Sequence, residues 1–159
     1  LKGMGDALEI GTFVKTIVGT NASASVILPA ILFLVAIFLS FSTGTSWGTF
    51  AILVPIAIAM FPGADNMQMM IIAVSAVLSG AVCGDHVSPI SDTTVMSSAG
   101  AQSNHINHVT TQMQYAAVVA VVSAVGFLLA GFVHVWWIVL GVSLILLLAV
   151  LTVLRKVAK

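Results

Sequence analysis

Two aspartates, Asp85 and Asp92, stand in the segment Gly84-Asp85-His86-Val87-Ser88-Pro89-Ile90-Ser91-Asp92-Thr93-Thr94, with apolar sequence on both sides. A charged side chain at the centre of a bilayer costs roughly 2.5–3.5 kcal/mol on insertion scales, and such residues usually mark ion or proton paths. Hydroxyls crowd the same segment. A second polar cluster, Ser42-Thr43-Gly44-Thr45-Ser46-Trp47-Gly48-Thr49, interrupts an earlier apolar stretch. Hard cations prefer oxygen ligands, and both interruptions are rich in them. Burial favours the neutral form of a carboxylic acid, whereas a bound cation favours the ionised form. One aspartate can therefore hold a proton or a Na⁺ but not both well, and alternating access turns that competition into exchange. Asp92 is the preferred shared ligand, because hydroxyls flank it on both sides; Asp85, beside His86, is second and can serve as a separate proton carrier. The predicted ion- and proton-binding set is Asp92, Asp85, Ser91, Thr93, Thr94, Ser42, Thr43, Thr45 and Ser46, with Na⁺ and H⁺ as transported ions, no transition metal and no cofactor.

Each of these residues has a plainer reading. Aspartate is a favoured N-cap, so Asp85 or Asp92 can cap the helix that follows it. Ser42 to Ser46 can be packing residues, since small hydroxyl side chains are common where membrane helices touch. His105 and His108 can sense pH or sit on a solvated loop.

Composition fixes the setting. The 159 residues are 60% hydrophobic and 6% charged, with zero formal net charge; mean hydropathy is +1.18. A soluble domain carries about 25% charged residues, so this chain has too few to cover a water-facing surface. No Asp, Glu, Lys or Arg lies between Lys15 and Asp65, between Asp65 and Asp85, or from Thr93 to Leu154. The only basic run is the tail Arg155, Lys156 and Lys159, so a nucleic-acid partner is not indicated. The lone Cys83 excludes an intramolecular disulfide.

The elements that must position the polar clusters are helices. Residues 1–25 mix charge and apolar side chains and read as an interfacial helix or the end of an earlier one. Residues 26–62 form either a re-entrant hairpin, with the Ser/Thr/Gly run at its tip, or two tilted spans, because each apolar flank is short of the roughly 20 residues a span needs. Residues 67–101 read as a helix broken at membrane depth, since Pro89 lacks an N–H and disfavours helix before it. Gln102 to Gln114 is polar, and 115–132 and 135–154 are full spans. The Trp136-Trp137 pair suits an aromatic belt, and the basic tail puts the C-terminus in the cytoplasm. The fold class expected is an all-α polytopic membrane protein. With no signal-peptide pattern at Leu1, the chain reads as the C-terminal membrane part of a longer protein.

Phe41-Ser42-Thr43-Gly44-Thr45-Ser46-Trp47-Gly48-Thr49 followed by Pro55, and Cys83-Gly84-Asp85-His86-Val87-Ser88-Pro89-Ile90-Ser91-Asp92-Thr93-Thr94, resemble the NhaC-type Na⁺/H⁺ antiporter family of the ion-transporter superfamily. The resemblance runs from about Gly19 to Leu154. It implies a multi-pass secondary transporter of a prokaryotic inner membrane, built of inverted repeats with re-entrant hairpins whose hydroxyl-rich breaks meet at a central site. It also implies Na⁺/H⁺ exchange and a dimer, with lipid and the rest of the chain as partners. Relatives with similar motifs exchange malate or lactate, so Na⁺-coupled organic-acid exchange is the alternative. A passive cation channel is another, since a hydroxyl-lined break can conduct. An intramembrane aspartyl protease fits poorly: Val82 stands where Gly-x-Gly-Asp needs its first glycine, and both aspartates share one short segment. No enzymatic activity is expected.

Overall fold

The computed structural model describes residues 22–61 and 66–157. The reading of residues 1–25 therefore falls almost wholly outside it. Six helices account for the described chain: α1 Ala22–Thr43, α2 Ser46–Met60, α3 Met67–Val87, α4 Asp92–Gly100, α5 His105–Phe132 and α6 Trp136–Val157. No strand occurs among the described residues. Four stretches, Ser25–Thr43, Met67–Val87, His105–Phe132 and Trp136–Lys156, are long and apolar enough to cross a membrane. The all-α, multi-pass architecture follows.

Lipid tails are as apolar as leucine, so helices in a bilayer associate through close packing and interhelical hydrogen bonds. The contact between α1 and α3 shows both. A Cβ on Gly80 would run into the carbonyl oxygen of Phe33, and one on Gly84 into that of Ile37. Ser40 Oγ, fully buried, donates to the Ala81 carbonyl at 2.6 Å. These pairs advance together along both helices, so α1 and α3 run parallel, and α2 packs mainly against α3. Leu28, Leu32 and Ala36 of α1, Leu53 and Ala57 of α2, Phe61 just beyond it, and Ala73, Val77 and Ala81 of α3 make one core. On the far side α5 runs antiparallel to α1: Gly131 lies against Val26, and the Phe33 and Phe127 rings sit 5.1 Å apart. Among the described residues α6 packs on α5 alone.

Three boundaries differ from the sequence expectation. First, α1 is 22 residues, roughly 33 Å at 1.5 Å per residue, so the first flank is not short. It stays helical through Ser42 and Thr43, whose hydroxyls are satisfied within the helix by donating back to the carbonyls of Phe38 and Leu39, at 2.8 and 2.9 Å. The other arm, α2, has 15 residues. Second, the break after α3 is confined to Ser88–Ser91, because the helix continues through Asp85, His86 and Val87. It follows a helix of spanning length instead of interrupting a short one. Third, the polar run from His105 to Gln114 is the first part of α5 and not a loop. Asn104 caps it by accepting from the Asn107 amide at 3.1 Å, and Thr110 and Thr111 return their hydroxyls to Ile106 and Asn107.

Between α4 and α5 the chain turns through Gln102, whose φ is +51°. The Ser103 amide bonds the Ser98 carbonyl and the Gln102 amide bonds the Ala99 carbonyl, both at 3.0 Å, the pattern of a Schellman C-cap. Gly84→Val is expected to push α3 off α1 and lower the stability of purified protein by about 1–3 kcal/mol, seen as a fall in its thermal unfolding midpoint. Gly141→Ala should not lower the midpoint, since nothing lies within 4 Å of the added Cβ and alanine is the better helix former inside α6. Gln102→Gly should raise it, because it relieves roughly 1 kcal/mol of left-handed backbone cost.

Candidate ion-binding site

The parallel register of α1 and α3 brings both helices to an end at one level, and there the two polar interruptions meet. Ser88 Oγ donates to the Phe41 carbonyl at 2.7 Å, tying the second break to the end of α1. Gly44 closes the first break with φ +67° and accepts no side chain: a Cβ there would lie 2.9–3.0 Å from Ile90. Its amide bonds the Ser40 carbonyl at 2.8 Å. Glycine is thus required at this position twice, for its left-handed φ and for the approach of the other break. The sequence names Gly44 only as part of a hydroxyl-rich run; its place in the centre of that run was the available signal.

Asp85 is the carboxylate at this joint. Half-buried in the last turn of α3, it accepts from Ser46 Oγ at Oδ2, at 2.9 Å, and from Ser91 Oγ at Oδ1, at 2.7 Å. Ser46 is the first residue of α2, and Ser91 stands at the N-cap of α4. Two helix N-termini, which carry partial positive charge, therefore deliver hydroxyls to one carboxylate, while the C-terminal end of α3 opposes them. Thr93 Oγ1 lies 2.8 Å from Ser91 Oγ. Ser91 has one proton and directs it at Asp85, so Thr93 is the donor, and a short relay runs Thr93, Ser91, Asp85. Asp85 lies inside α3, so it does not cap the helix that follows.

The other predicted residues divide. Thr94 is buried one turn along and donates to the His86 carbonyl at 3.2 Å. Thr45 caps α2, its hydroxyl oxygen taking the Gly48 amide at 3.4 Å, and its carbonyl accepts from buried Thr49 at 3.0 Å. Ser42 and Thr43 are exposed and occupied with α1 itself. Asp92 is exposed, and its Oδ1 accepts from the neighbouring Thr93 amide at 2.7 Å. The hydroxyls that flank Asp92 in sequence point to Asp85 and to one another. Adjacent residues on the first turn of a helix diverge, whereas Ser91 reaches back across the break to the helix before it.

Gly44-Thr45-Ser46-Trp47-Gly48 also spells Gly-x-Ser-x-Gly, a pattern of serine hydrolases. Ser46 donates straight to a carboxylate with no imidazole between them, so it lacks the base that activates a nucleophile. The joint offers one carboxylate, several hydroxyls and backbone carbonyls, which is an oxygen donor set suited to a hard cation or a proton.

Residues 2–132 match the sequence model of the Na⁺/H⁺ antiporter family. The chain is 48% identical over 133 residues to an uncharacterised protein of Haemophilus influenzae, a match covering 84% of this chain and 25% of that protein. It is also 33% identical over 97 residues to the malate-2H⁺/Na⁺-lactate antiporter of Bacillus subtilis, covering 60% of this chain and 20% of that protein. The chain thus spans a quarter or less of the length of these relatives. No solved structure matches it significantly. With the match extending over most of its length, and with apolar helices converging on a hydroxyl-bound carboxylate, the chain belongs to the Na⁺/H⁺ antiporter family.

Proposed function

We propose that this chain is part of a longer secondary transporter that exchanges Na⁺ for H⁺, with Asp85 alternately binding cation and proton. The observation that carries the reading is the state of its carboxylate: each oxygen is held by a hydroxyl, one from each polar interruption. A cation arriving at Asp85 would find Ser46, Ser91 and, behind it, Thr93 as oxygen ligands; a proton arriving instead would neutralise the carboxylate and weaken its hold on the cation. Broken helices whose ends face a central site are how secondary transporters bind ions. Asp92, being exposed and bonded to its own helix, is in this reading a residue of the α4 start. The transporter sits in a prokaryotic cell membrane, with its C-terminus on the cytoplasmic side, as Arg155 and Lys156 at the end of α6 favour.

The printed activity of the Bacillus subtilis relative favours a second reading, in which an organic acid accompanies the exchange. One experiment separates them. The longer transporter is reconstituted in sealed vesicles, and internal pH is followed with a dye while Na⁺ is added outside. Na⁺/H⁺ exchange gives a pH change that needs no organic acid, and Asp85→Asn reduces it at least about tenfold, as loss of roughly 1.4 kcal/mol or more at the ion site requires. Asp92→Asn keeps most of the parent rate. A pH change that appears only with malate or lactate present selects the organic-acid reading. Na⁺ flux without proton movement selects a channel, and an Asp85→Asn variant as active as the parent removes Asp85 from the cycle.

Ser91→Ala leaves one oxygen of Asp85 without its donor. Hydrogen bonds to charged groups contribute about 1.5–3 kcal/mol in water-soluble proteins, and interhelical ones in membranes average about 0.6 kcal/mol. The expected outcome is an intermediate loss of about 1 kcal/mol in thermal unfolding, against almost none for Asp92→Ala.

A further inference from the structure

The contact between Ser91 and Asp85 depends on the path of the Ser88–Ser91 break, and the break holds itself weakly. Its internal bonds, Ser91 amide to Ser88 carbonyl and Ile90 amide to Ser88 Oγ, are both 3.4 Å long. Two external ties are much shorter. On one side is the Ser88 hydroxyl on Phe41. On the other is His105, the half-buried first residue of α5, whose Nε2 lies 2.7 Å from the Pro89 carbonyl and whose Nδ1 lies 3.0 Å from Ser98 Oγ. Pro89 has no N–H, so this carbonyl is its whole contribution to backbone bonding. A carbonyl can only accept, so Nε2 carries a proton. Ser98 Oγ also lies 2.9 Å from the Val95 carbonyl. Its single hydrogen can go there, with a doubly protonated ring donating from Nδ1, or to a neutral ring's Nδ1. In both charge states the bond to Pro89 survives. One imidazole thus joins the break, α4 and α5, and it does so from a helix that runs back along α1.

We propose that His105 is a positioning residue for Asp85: by holding the Pro89 carbonyl it fixes the break so that the Ser91 hydroxyl reaches the carboxylate. The functional part of this inference rests on the reading of Asp85 as the ion-binding group; the geometric part does not. His105→Ala removes the clamp. His105→Gln restores it, because the amide nitrogen can donate to Pro89 while the amide oxygen accepts from Ser98.

The test uses the longer transporter in lipid nanodiscs and three readouts. Amide hydrogen exchange over residues 88–95, referenced to α1, should be about tenfold faster in His105→Ala and within about twofold of the parent in His105→Gln. The infrared carboxyl band of Asp85, assigned by its loss in Asp85→Asn, should shift in His105→Ala and return in His105→Gln. In vesicles, the KM for Na⁺ should rise about tenfold in His105→Ala with kcat within about twofold, and Gln should recover it. Unchanged exchange or an unmoved Asp85 band in His105→Ala overturns the proposal, whatever transport shows. A normal KM for Na⁺ despite a shifted band overturns the positioning role. A parent that moves no Na⁺ counts against the proposed function alone, and the exchange and infrared readouts then decide the clamp. If His105→Ala does not assemble, His105→Phe keeps a ring of similar bulk and removes the Nε2 donor to Pro89; it must move the Asp85 band in the same direction, and failure to do so overturns the proposal.

Discussion

The approach of α3 to α1 at Gly80 and Gly84 is the contact on which the polar joint depends. Because backbone meets backbone there, neither helix can slide or rotate against the other without a collision at the Phe33 or Ile37 carbonyl. The parallel register that results sets Ser88 beside Phe41, Gly44 beside Ile90 and Ser46 beside Asp85. A half-turn of slippage would leave a carboxylate and several backbone groups unsatisfied in apolar surroundings, which is expensive where water cannot replace the missing partner. Packing and polar satisfaction therefore select the same arrangement, and each makes departure from the other costlier.

The chain's class was legible in its composition, and the two polar interruptions were legible as places where chemistry and irregular backbone coincide. The unequal supply of hydroxyls to Asp85 and Asp92 was not. Sequence reading weighs residues by their neighbours along the chain, and by that measure Asp92, between Ser91 and Thr93, looks better supplied. In three dimensions the useful hydroxyls arrive from Ser46, 39 residues away, and from Ser91 folding back six residues to Asp85. Neither distance belongs to a helical repeat. A carboxylate at the end of a long helix can be reached by two helix starts, whereas one on the first turn of a short exposed helix faces outward.

The polar stretch from His105 to Gln114 misled for a related reason. Its hydroxyls and amides are helix-compatible once Asn104 caps the start and the threonines bond backward. Gly80-x-x-x-Gly84 has the small-residue spacing found where membrane helices touch. It predicts a close approach, but the partner is set by the fold. Polarity is a weaker guide to helix ends here than capping and small-residue spacing.

The directions of the helices around Asp85 carry one more consequence. α1 and α3 arrive at the joint with their C-terminal ends, and α2 and α4 leave it with their N-terminal ends. Two partial negative charges thus meet two partial positive ones of similar size, and the backbone's own field there largely cancels. The charge balance of the joint is left to the one carboxylate bonded within it. A single unit of positive charge, whether a proton or a monovalent cation, brings that balance to zero. A divalent cation would leave an excess of one unit among apolar helices, so under the proposed function the sum of charges alone would favour a monovalent ion.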